Sequence, residues 1–309
     1  MNRQGNIVGF MDKQFTKQKV DFEKLTEKVN EKYKVPESID FRQNIKYLDD
    51  NESRHTLDLL LTRETKLGKQ PLIINVHGGG LIIGSKGFNT RFNVELYERG
   101  FNIVSIEYRL IPDVQAYDQY KDVIDALKFI ESHLDDWNID KNRVYIVGDS
   151  AGAYLILYCL VIMNNSKMQH ITGCSGCDID IKAAGLISGM FYTRRFDEIG
   201  LFLTKYLYGT DNRAEAFEFY THPDNKEILD SIKSVPLFMT TSKCDKLHKY
   251  TTDMHKALVK NGNTVKLLDL QKDKRLDHAF PVFHPEYGES RSLIVEMCDY
   301  FKSIKTSNK

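Results

Sequence analysis

The sequence predicts an α/β fold in which a mostly parallel sheet is covered by helices on both faces. Short β-rich runs alternate with helical patterns through most of the chain, and this alternation is typical of parallel strands joined by crossover helices. The chain has 309 residues, of which 41% are hydrophobic, so it can bury a sizeable core. No linker or internal repeat divides it, and we therefore expect a single domain over residues 1–309.

The predicted strands are short runs of apolar or alternating residues. They cover residues 56–61, 72–76, 102–108, 144–147, 184–187, 237–241 and 265–268. The clearest helical pattern between them places four apolar residues on one helix face: Val123, Leu127, Ile130 and Leu134.

Two regions interrupt the alternation. Residues 12–33 are highly charged, with apolar residues at roughly helical spacing, which indicates an amphipathic helix lying on another surface. Residues 189–232 contain no clear strand but are rich in aromatic residues: Phe191, Tyr192, Phe202, Tyr206, Tyr208, Phe217, Phe219 and Tyr220. That density indicates either a helical excursion packed on the main domain or a cap over a pocket, and the two interpretations are compatible.

Composition limits the possible partners and the compartment. The formal net charge is +0, which argues against nucleic acid or an anionic membrane as the main partner. No apolar stretch is long enough for a signal-peptide core or a transmembrane helix. Five irregularly spaced cysteines favour reduced thiols and a cytoplasmic location.

A glycine cluster follows the predicted strand 72–76, within the stretch from Asn75 to Ser85. Its glycines do not have the spacing of a dinucleotide-binding fingerprint. A phosphate-binding loop is also disfavoured, because Ser85 precedes Lys86 whereas that motif places lysine directly after the glycine. The third interpretation is an oxyanion hole, in which glycines bring bare backbone amides close to a substrate oxygen, as in lipases and esterases.

An oxyanion hole requires a nucleophile on its own sharp turn. The segment Val144–Gly152 runs from an apolar strand into Gly148-x-Ser150-x-Gly152, and a good helical pattern follows. This arrangement is typical of the strained strand-to-helix turn that exposes a nucleophilic serine. Ser150 is therefore predicted as the nucleophile rather than as a helix-capping serine.

A serine nucleophile needs a base, and the base needs an orienting acid. Asp245 lies just past the predicted strand 237–241, and His278 lies in a loop beyond the last predicted strand. This gives the chain order serine, acid, histidine, which the fold class uses. The other histidines considered, at His248, His255 and His284, are interpreted as surface residues.

Taken together, these motifs resemble those of the hormone-sensitive-lipase-like branch of the α/β-hydrolase family. The resemblance runs from about Pro71 to the C-terminus. It rests on five motifs in family order: His77-Gly-Gly-Gly80, Tyr108-Arg-Leu-Ile-Pro112, Gly148-Asp-Ser-Ala-Gly152, Asp245-Lys-Leu247 and His278-Ala-Phe280.

The resemblance implies an α/β-hydrolase fold with a mostly parallel eight-stranded sheet and a small helical cap, drawn from about residues 1–40 and 189–232. It implies Ser150 as nucleophile, Asp245 as acid and His278 as base. The implied oxyanion donors are the amides of Gly79, Gly80 and Ala151. Three further residues would support the site: His77 as a scaffold for the loop, the adjacent Gly78, and Asp149.

The function predicted from these residues is that of a serine carboxylesterase acting on small, short-acyl-chain esters through an acyl-enzyme. It needs neither a metal nor an organic cofactor. The same triad also allows hydrolysis of amide, formamide or lactone bonds, and the fold could serve instead as a non-catalytic binding module. The oligomeric state is not encoded in any motif of the chain.

Overall fold

The computed structural model of the chain describes residue 24 and residues 33–63, 68–197 and 204–304. Within these ranges the strands are β1 (Ile39–Lys46), β2 (Thr56–Thr62), β3 (Gln70–Val76), β4 (Asn102–Ile106), β5 (Ile139–Asp149), β6 (Ile181–Ile187), β7 (Leu237–Ser242) and β8 (Val265–Leu270). They form one eight-stranded sheet in the order β1-β2-β4-β3-β5-β6-β7-β8. Strand β2 runs antiparallel to its neighbours β1 and β4, and the other neighbouring pairs are parallel.

Six of the seven predicted strands lie within observed strands, and the predicted strand 102–108 runs two residues past the end of β4, so the mostly parallel sheet is confirmed. The prediction missed β1, the strand at one edge of the sheet. Only Ile39 is buried there, and the pairing with β2 is interrupted between Arg42 and Ile45. An edge strand with one buried residue in eight carries little of the apolar pattern from which strands are recognised.

The α-helices of the described ranges lie between and after the strands. They are α1 (Thr90–Tyr97), α2 (Ala116–His133), α3 (Ala151–Asn164), α4 (Ser166–Thr172), α5 (Thr204–Tyr208), α6 (Asn212–Phe217), α7 (Lys226–Ser231), α8 (His248–Asn261), α9 (Phe280–Phe283) and α10 (Gly288–Ser303). The apolar face predicted around residues 123–134 belongs to α2 and is buried. No helix of the described ranges is both long and apolar enough to cross a membrane.

The core occupies both faces of the sheet. Alternate residues of a strand point to opposite faces: Ile74 of β3 packs in the cluster that contains α2 and α3, whereas the adjacent Ile73 packs in the cluster that contains α10. Helix α3 is buried along nearly its whole length, as expected for a helix covered on all sides. Helices on both faces, as predicted, are thereby confirmed.

The aromatic region between β6 and β7 folds as the short helices α5, α6 and α7. Phe217 is fully buried, and its ring centroid lies 5.3, 6.2 and 5.7 Å from those of Tyr117, Tyr120 and Tyr158. Tyr208 and Tyr220 are also buried, whereas Phe219 is exposed. Much of the aromatic density therefore packs on α2 and α3, while Phe202 and most of the predicted helix 12–33 lie outside the described residues.

Candidate active site

Ser150 stands at the junction of β5 and α3 with a strained backbone. Its φ is 50° and its ψ is −112°, a region that non-glycine residues occupy only at a cost of about 1–3 kcal/mol. Two hydrogen bonds hold it there: the Ser150 amide donates to Ile187 O at 2.8 Å, and the Met190 amide donates to Ser150 O at 3.0 Å. The end of β6 and the loop after it thus fix the serine turn.

The glycines on either side of Ser150 are required by close packing against β3. A Cβ atom at Gly148 would lie 2.8 Å from Val76 O, and one at Gly152 would lie 2.0 Å from the same oxygen. The turn can approach the end of β3 this closely only because both positions lack a side chain.

The structure brings together the three residues predicted as nucleophile, base and acid. His278 Nε2 lies 2.9 Å from Ser150 Oγ, and His278 Nδ1 lies 2.8 Å from Asp245 Oδ1. His278 lies in the loop after β8 and Asp245 in the loop after β7. Because the carboxyl ends of parallel strands meet at one edge of the sheet, residues 128 and 33 positions apart become neighbours.

The Asp245 carboxylate is buried and fully hydrogen-bonded. Besides His278, it accepts hydrogen bonds from Thr241 Oγ1 at 2.9 Å and from the Leu247 amide at 2.8 Å. Burial raises the pKa of Asp245, but the hydrogen bond and the charge of His278 outweigh it, so the pKa lies below its ordinary value. An ionised Asp245 can accept a hydrogen bond from His278 Nδ1, an arrangement in which His278 Nε2 is able to accept one from the Ser150 hydroxyl.

Ser188 is a site residue that the sequence analysis missed. Its hydroxyl accepts a hydrogen bond from the Ala279 amide at 3.2 Å, next to His278. After burial and His278, a hydrogen bond from Ser188 also contributes to the lowered pKa of Asp245. Ser188 thus links the loops that carry acid and base, and its only sequence signal is a polar residue directly after a strand.

The glycine loop, residues 77–85, has an irregular backbone. Gly79, Gly80 and Gly84 have φ values of 122°, 62° and 113°. The Gly79 carbonyl accepts hydrogen bonds from the amides of Ile82 and Ile83, so the loop folds back on itself. Within the described ranges, the amides of Gly79, Gly80 and Ala151 donate to no acceptor of the protein, which leaves them available to a ligand oxygen.

His77, the first residue of this loop, is fully buried and contacts the loop backbone. Its Nδ1 lies 2.7 Å from Gly78 O, and its ring stacks on Tyr108 with the centroids 4.3 Å apart. The Tyr108 hydroxyl donates to His77 O at 2.8 Å. These contacts hold His77 between Gly78 and Tyr108, and they give the Tyr108 motif a structural task that its sequence did not reveal.

Asp149 ties the glycine loop to the serine turn. Its Oδ1 accepts hydrogen bonds from the Gly78 amide at 3.1 Å and from Asn89 Nδ2 at 2.9 Å. Burial raises the pKa of Asp149 above its ordinary value. Asn89 was not predicted, because its contact with Asp149 spans 60 residues and no motif includes it.

Substitutions at the adjacent Gly79 and Gly80 are expected to differ in effect. A Cβ at Gly79 would lie 1.9 Å from Ile83 O, whereas at Gly80 the nearest atom lies 3.8 Å away. We expect Gly79→Ala to displace the amides and to lower kcat on p-nitrophenyl acetate on the order of 100- to 1000-fold, as for a lost oxyanion donor. Gly80→Ala adds only left-handed strain of about 1–2 kcal/mol and should retain kcat within about tenfold. A larger loss for Gly80→Ala at equal Tm would contradict this geometry.

Comparisons with known proteins agree with this architecture. A family model described as BD-FAE matches residues 57–184. The probable isoprenylcysteine alpha-carbonyl methylesterase ICMEL1 of Arabidopsis thaliana is 33% identical over 121 residues, which are 39% of this chain and 25% of that protein. The probable carboxylesterase 2 of the same plant is 24% identical over 242 residues, 73% of this chain and 74% of that protein.

Among solved structures, esterase B from Lactobacillus rhamnosis, crystallised with a C4-C4 tributyrin phosphonate inhibitor, superposes with a TM-score of 0.88. The match covers 98% of this chain and 96% of that chain at 20% sequence identity, and it shows that the two chains share a fold. The chain spans 24–38% of the length of the isoprenylcysteine methylesterases that it matches.

Proposed function

We propose that the chain, which has an α/β-hydrolase fold, is a serine carboxylesterase with Ser150 as nucleophile, His278 as general base and acid, and Asp245 as the orienting carboxylate. The observation that carries the proposal is the placement of the His278 ring, whose two nitrogens lie 2.9 Å from Ser150 Oγ and 2.8 Å from Asp245 Oδ1. A base within hydrogen-bond reach of the hydroxyl is the first requirement for nucleophilic catalysis by serine.

In the proposed acylation step, Ser150 Oγ forms a bond to the ester carbonyl carbon while its proton passes to His278 Nε2. The carbonyl oxygen becomes negative and accepts hydrogen bonds from the amides of Gly79, Gly80 and Ala151. The bond from the carbonyl carbon to the alkoxy oxygen then breaks, and the alcohol leaves with the proton from His278. Ser150 is left acylated.

Deacylation repeats these steps with water as the nucleophile. His278 accepts a proton from water as the water oxygen attacks the acyl carbon, and it returns the proton to Ser150 Oγ as the acid departs. In each step Asp245 stabilises the His278 ring while it holds the transferred proton and is positively charged. The lowered pKa of Asp245 and its two further hydrogen-bond donors keep it ionised for this role.

We propose that helices α5 to α7 belong to a cap beside the site. A chain of buried hydroxyls supports this: Tyr208 Oη lies 2.6 Å from Tyr154 Oη and 2.8 Å from Thr193 Oγ1. Tyr154 is on α3, the helix that begins directly after Ser150. The aromatic excursion is thus tied to the nucleophile helix by hydrogen bonds as well as by ring packing.

For the substrate we propose small esters with short acyl chains. The structural neighbour esterase B is inhibited by a tributyrin phosphonate described as C4-C4, and the fold is shared over nearly the whole chain. In this chain several cap aromatics are used in packing against α2 and α3, which leaves fewer of them to line a long acyl channel.

The substrate proposal is tested with p-nitrophenyl esters from acetate to palmitate. We expect kcat/KM to peak at acyl chains of about two to four carbons and to fall at least tenfold by palmitate, a difference of about 1.4 kcal/mol in transition-state binding. The Ser150→Ala variant, assayed alongside, corrects for uncatalysed hydrolysis of each ester. Fastest turnover of palmitate would overturn the short-chain proposal and leave the triad assignment intact.

A further inference from the structure

Arg54 lies outside every motif, in the loop between β1 and β2, yet its side chain reaches the glycine loop. Its Nη1 atom lies 2.7 Å from Glu107 Oε1 and 3.2 Å from Gly84 O. The direct contact with Gly84 falls near the end of the glycine loop. The contact with Glu107 connects Arg54 to both ends of the loop, because Glu107 contacts His77 at one end and Lys86 at the other.

Glu107 holds the two ends of the glycine loop at once. Its Oε1 lies 3.3 Å from His77 Nε2 at the start of the loop, and its Oε2 accepts a hydrogen bond from the Lys86 amide at 3.1 Å, just after the loop. Burial raises the pKa of Glu107, but the hydrogen bond and charge of His77, with the charge of Arg54, lower it below its ordinary value. Glu107 is therefore a buried carboxylate that needs a nearby cation.

The backbone that presents Arg54 is itself fixed. The adjacent His55 lies between two carboxylates, with Nδ1 2.7 Å from Asp50 Oδ2 and Nε2 3.2 Å from Asp122 Oδ1. The Arg54 amide donates to Glu52 Oε1 at 3.0 Å. The Arg54 guanidinium therefore extends from a loop that is itself held in place, as expected for a side chain that positions the glycine loop.

We propose that Arg54 is a positioning residue for the oxyanion hole: by pairing with Glu107 and binding the Gly84 carbonyl, it sets where the Gly79 and Gly80 amides stand. The inference rests on the proposed esterase function. The loop has left-handed backbone at Gly79, Gly80 and Gly84. Its internal bonds to Gly79 O fix its local turn, and the contacts of Glu107 at its two ends fix where that turn stands relative to the nucleophilic serine. Displacement of the amides reduces the stabilisation of the transition state more than it reduces binding of the ester.

The test compares Arg54→Gln with Arg54→Lys and with Arg42→Gln as a matched control. Arg42 lies on β1 and pairs with Asp40 at the exposed surface, so its loss should leave kcat within about twofold of wild type. We expect Arg54→Gln to lower kcat about ten- to a hundredfold with KM within about twofold, less than for a lost oxyanion donor. Arg54→Lys should lose less, because one ammonium group can still pair with Glu107.

A second measurement separates positioning from a loss of fold. Ser150 Oγ adds to the carbonyl carbon of an alkyl trifluoromethyl ketone while the Ser150 proton passes to His278 Nε2, and the resulting oxyanion lies in the hole. The Ki of this inhibitor therefore reports on the hole directly. We expect its Ki to rise by the same factor by which kcat falls. Rates are normalised to the fraction of enzyme that a fluorophosphonate labels, and Tm is measured for each variant; if Arg54→Gln does not fold, Arg54→Lys is judged by the same comparison.

The proposal fails if kcat and Ki of the folded Arg54 variants both stay within twofold of wild type, or if kcat falls while Ki does not rise. These results differ from a failure of the proposed function, which would appear as a wild-type enzyme that neither reacts with the fluorophosphonate nor depends on Ser150.

Discussion

Replacing Ser150 with alanine is expected to reduce kcat on p-nitrophenyl acetate by about a millionfold, to near the residual rate that binding and the oxyanion hole provide alone. The reason is chemical rather than structural. The Ser150 hydroxyl is the only group that the proposal places in attack on the carbonyl, and His278 Nε2 lies 2.9 Å from it to accept its proton.

The same substitution should leave the fold unchanged. Alanine keeps the Cβ atom at the strained backbone of residue 150, and the amide and carbonyl bonds to Ile187 and Met190 do not involve the side chain. Ser132→Ala, which removes an exposed hydroxyl from α2, is the matched control and should retain wild-type kcat. If Ser150→Ala keeps more than about one hundredth of the wild-type rate at equal Tm, another residue carries the chemistry.

Replacing His278 with alanine is expected to cost about as much as losing the serine, because the two residues act as one unit. Without the ring, no base removes the Ser150 proton and the Asp245 carboxylate loses the proton donor at 2.8 Å. The double variant Ser150→Ala/His278→Ala should therefore be no slower than either single variant. Multiplicative losses in the double variant would show that the two residues act independently.

His248→Ala is the control for the histidine assignment. His248 is the first residue of α8 and lies three residues after Asp245 in the chain. Its Nε2 is 3.0 Å from Asp269 Oδ1. We expect its loss to change kcat by less than about threefold, because both partners of that contact are partly exposed. If His248→Ala lowered kcat more than His278→Ala, the assignment of the base to His278 would be contradicted.

The parts of this protein that could be predicted from sequence are those with a local pattern. Strand β3 and the second half of β5, from Val144 onward, are buried, and both contain the apolar runs by which they were predicted. The turn at Ser150 is recognisable because Gly148 and Gly152 are imposed by a neighbour only 2.8 and 2.0 Å from where a side chain would begin. The strand-end positions of Asp245 and His278 follow from the same α/β logic.

The parts that escaped prediction depend on contacts between distant segments. Arg54 and Glu107 are 53 residues apart, Asn89 and Asp149 are 60 apart, and Ala279 and Ser188 are 91 apart. Arg54, Glu107, Asn89 and Ser188 are each an ordinary polar side chain in their own segments. Only the folded sheet brings them beside the glycine loop or the triad, so no spacing rule in the chain could identify them.

The aromatic region, residues 189–232, was recognised from its composition, but its composition did not decide between packing and a cap. Its composition allowed either packing or a cap, and the ring contacts of Phe217 with Tyr117 and Tyr158 decide how much of it packs. Which rings remain to contact a substrate depends on the arrangement of α5 to α7, and a hydrophobicity pattern does not encode that arrangement.

The most direct test of the central claim is intact-protein and peptide mass spectrometry after reaction with a fluorophosphonate. We expect one covalent adduct per chain, located at Ser150, that is absent from Ser150→Ala and forms much more slowly in His278→Ala. An unmodified wild-type protein under conditions that label a known serine esterase, or an adduct at any other residue, would contradict that claim.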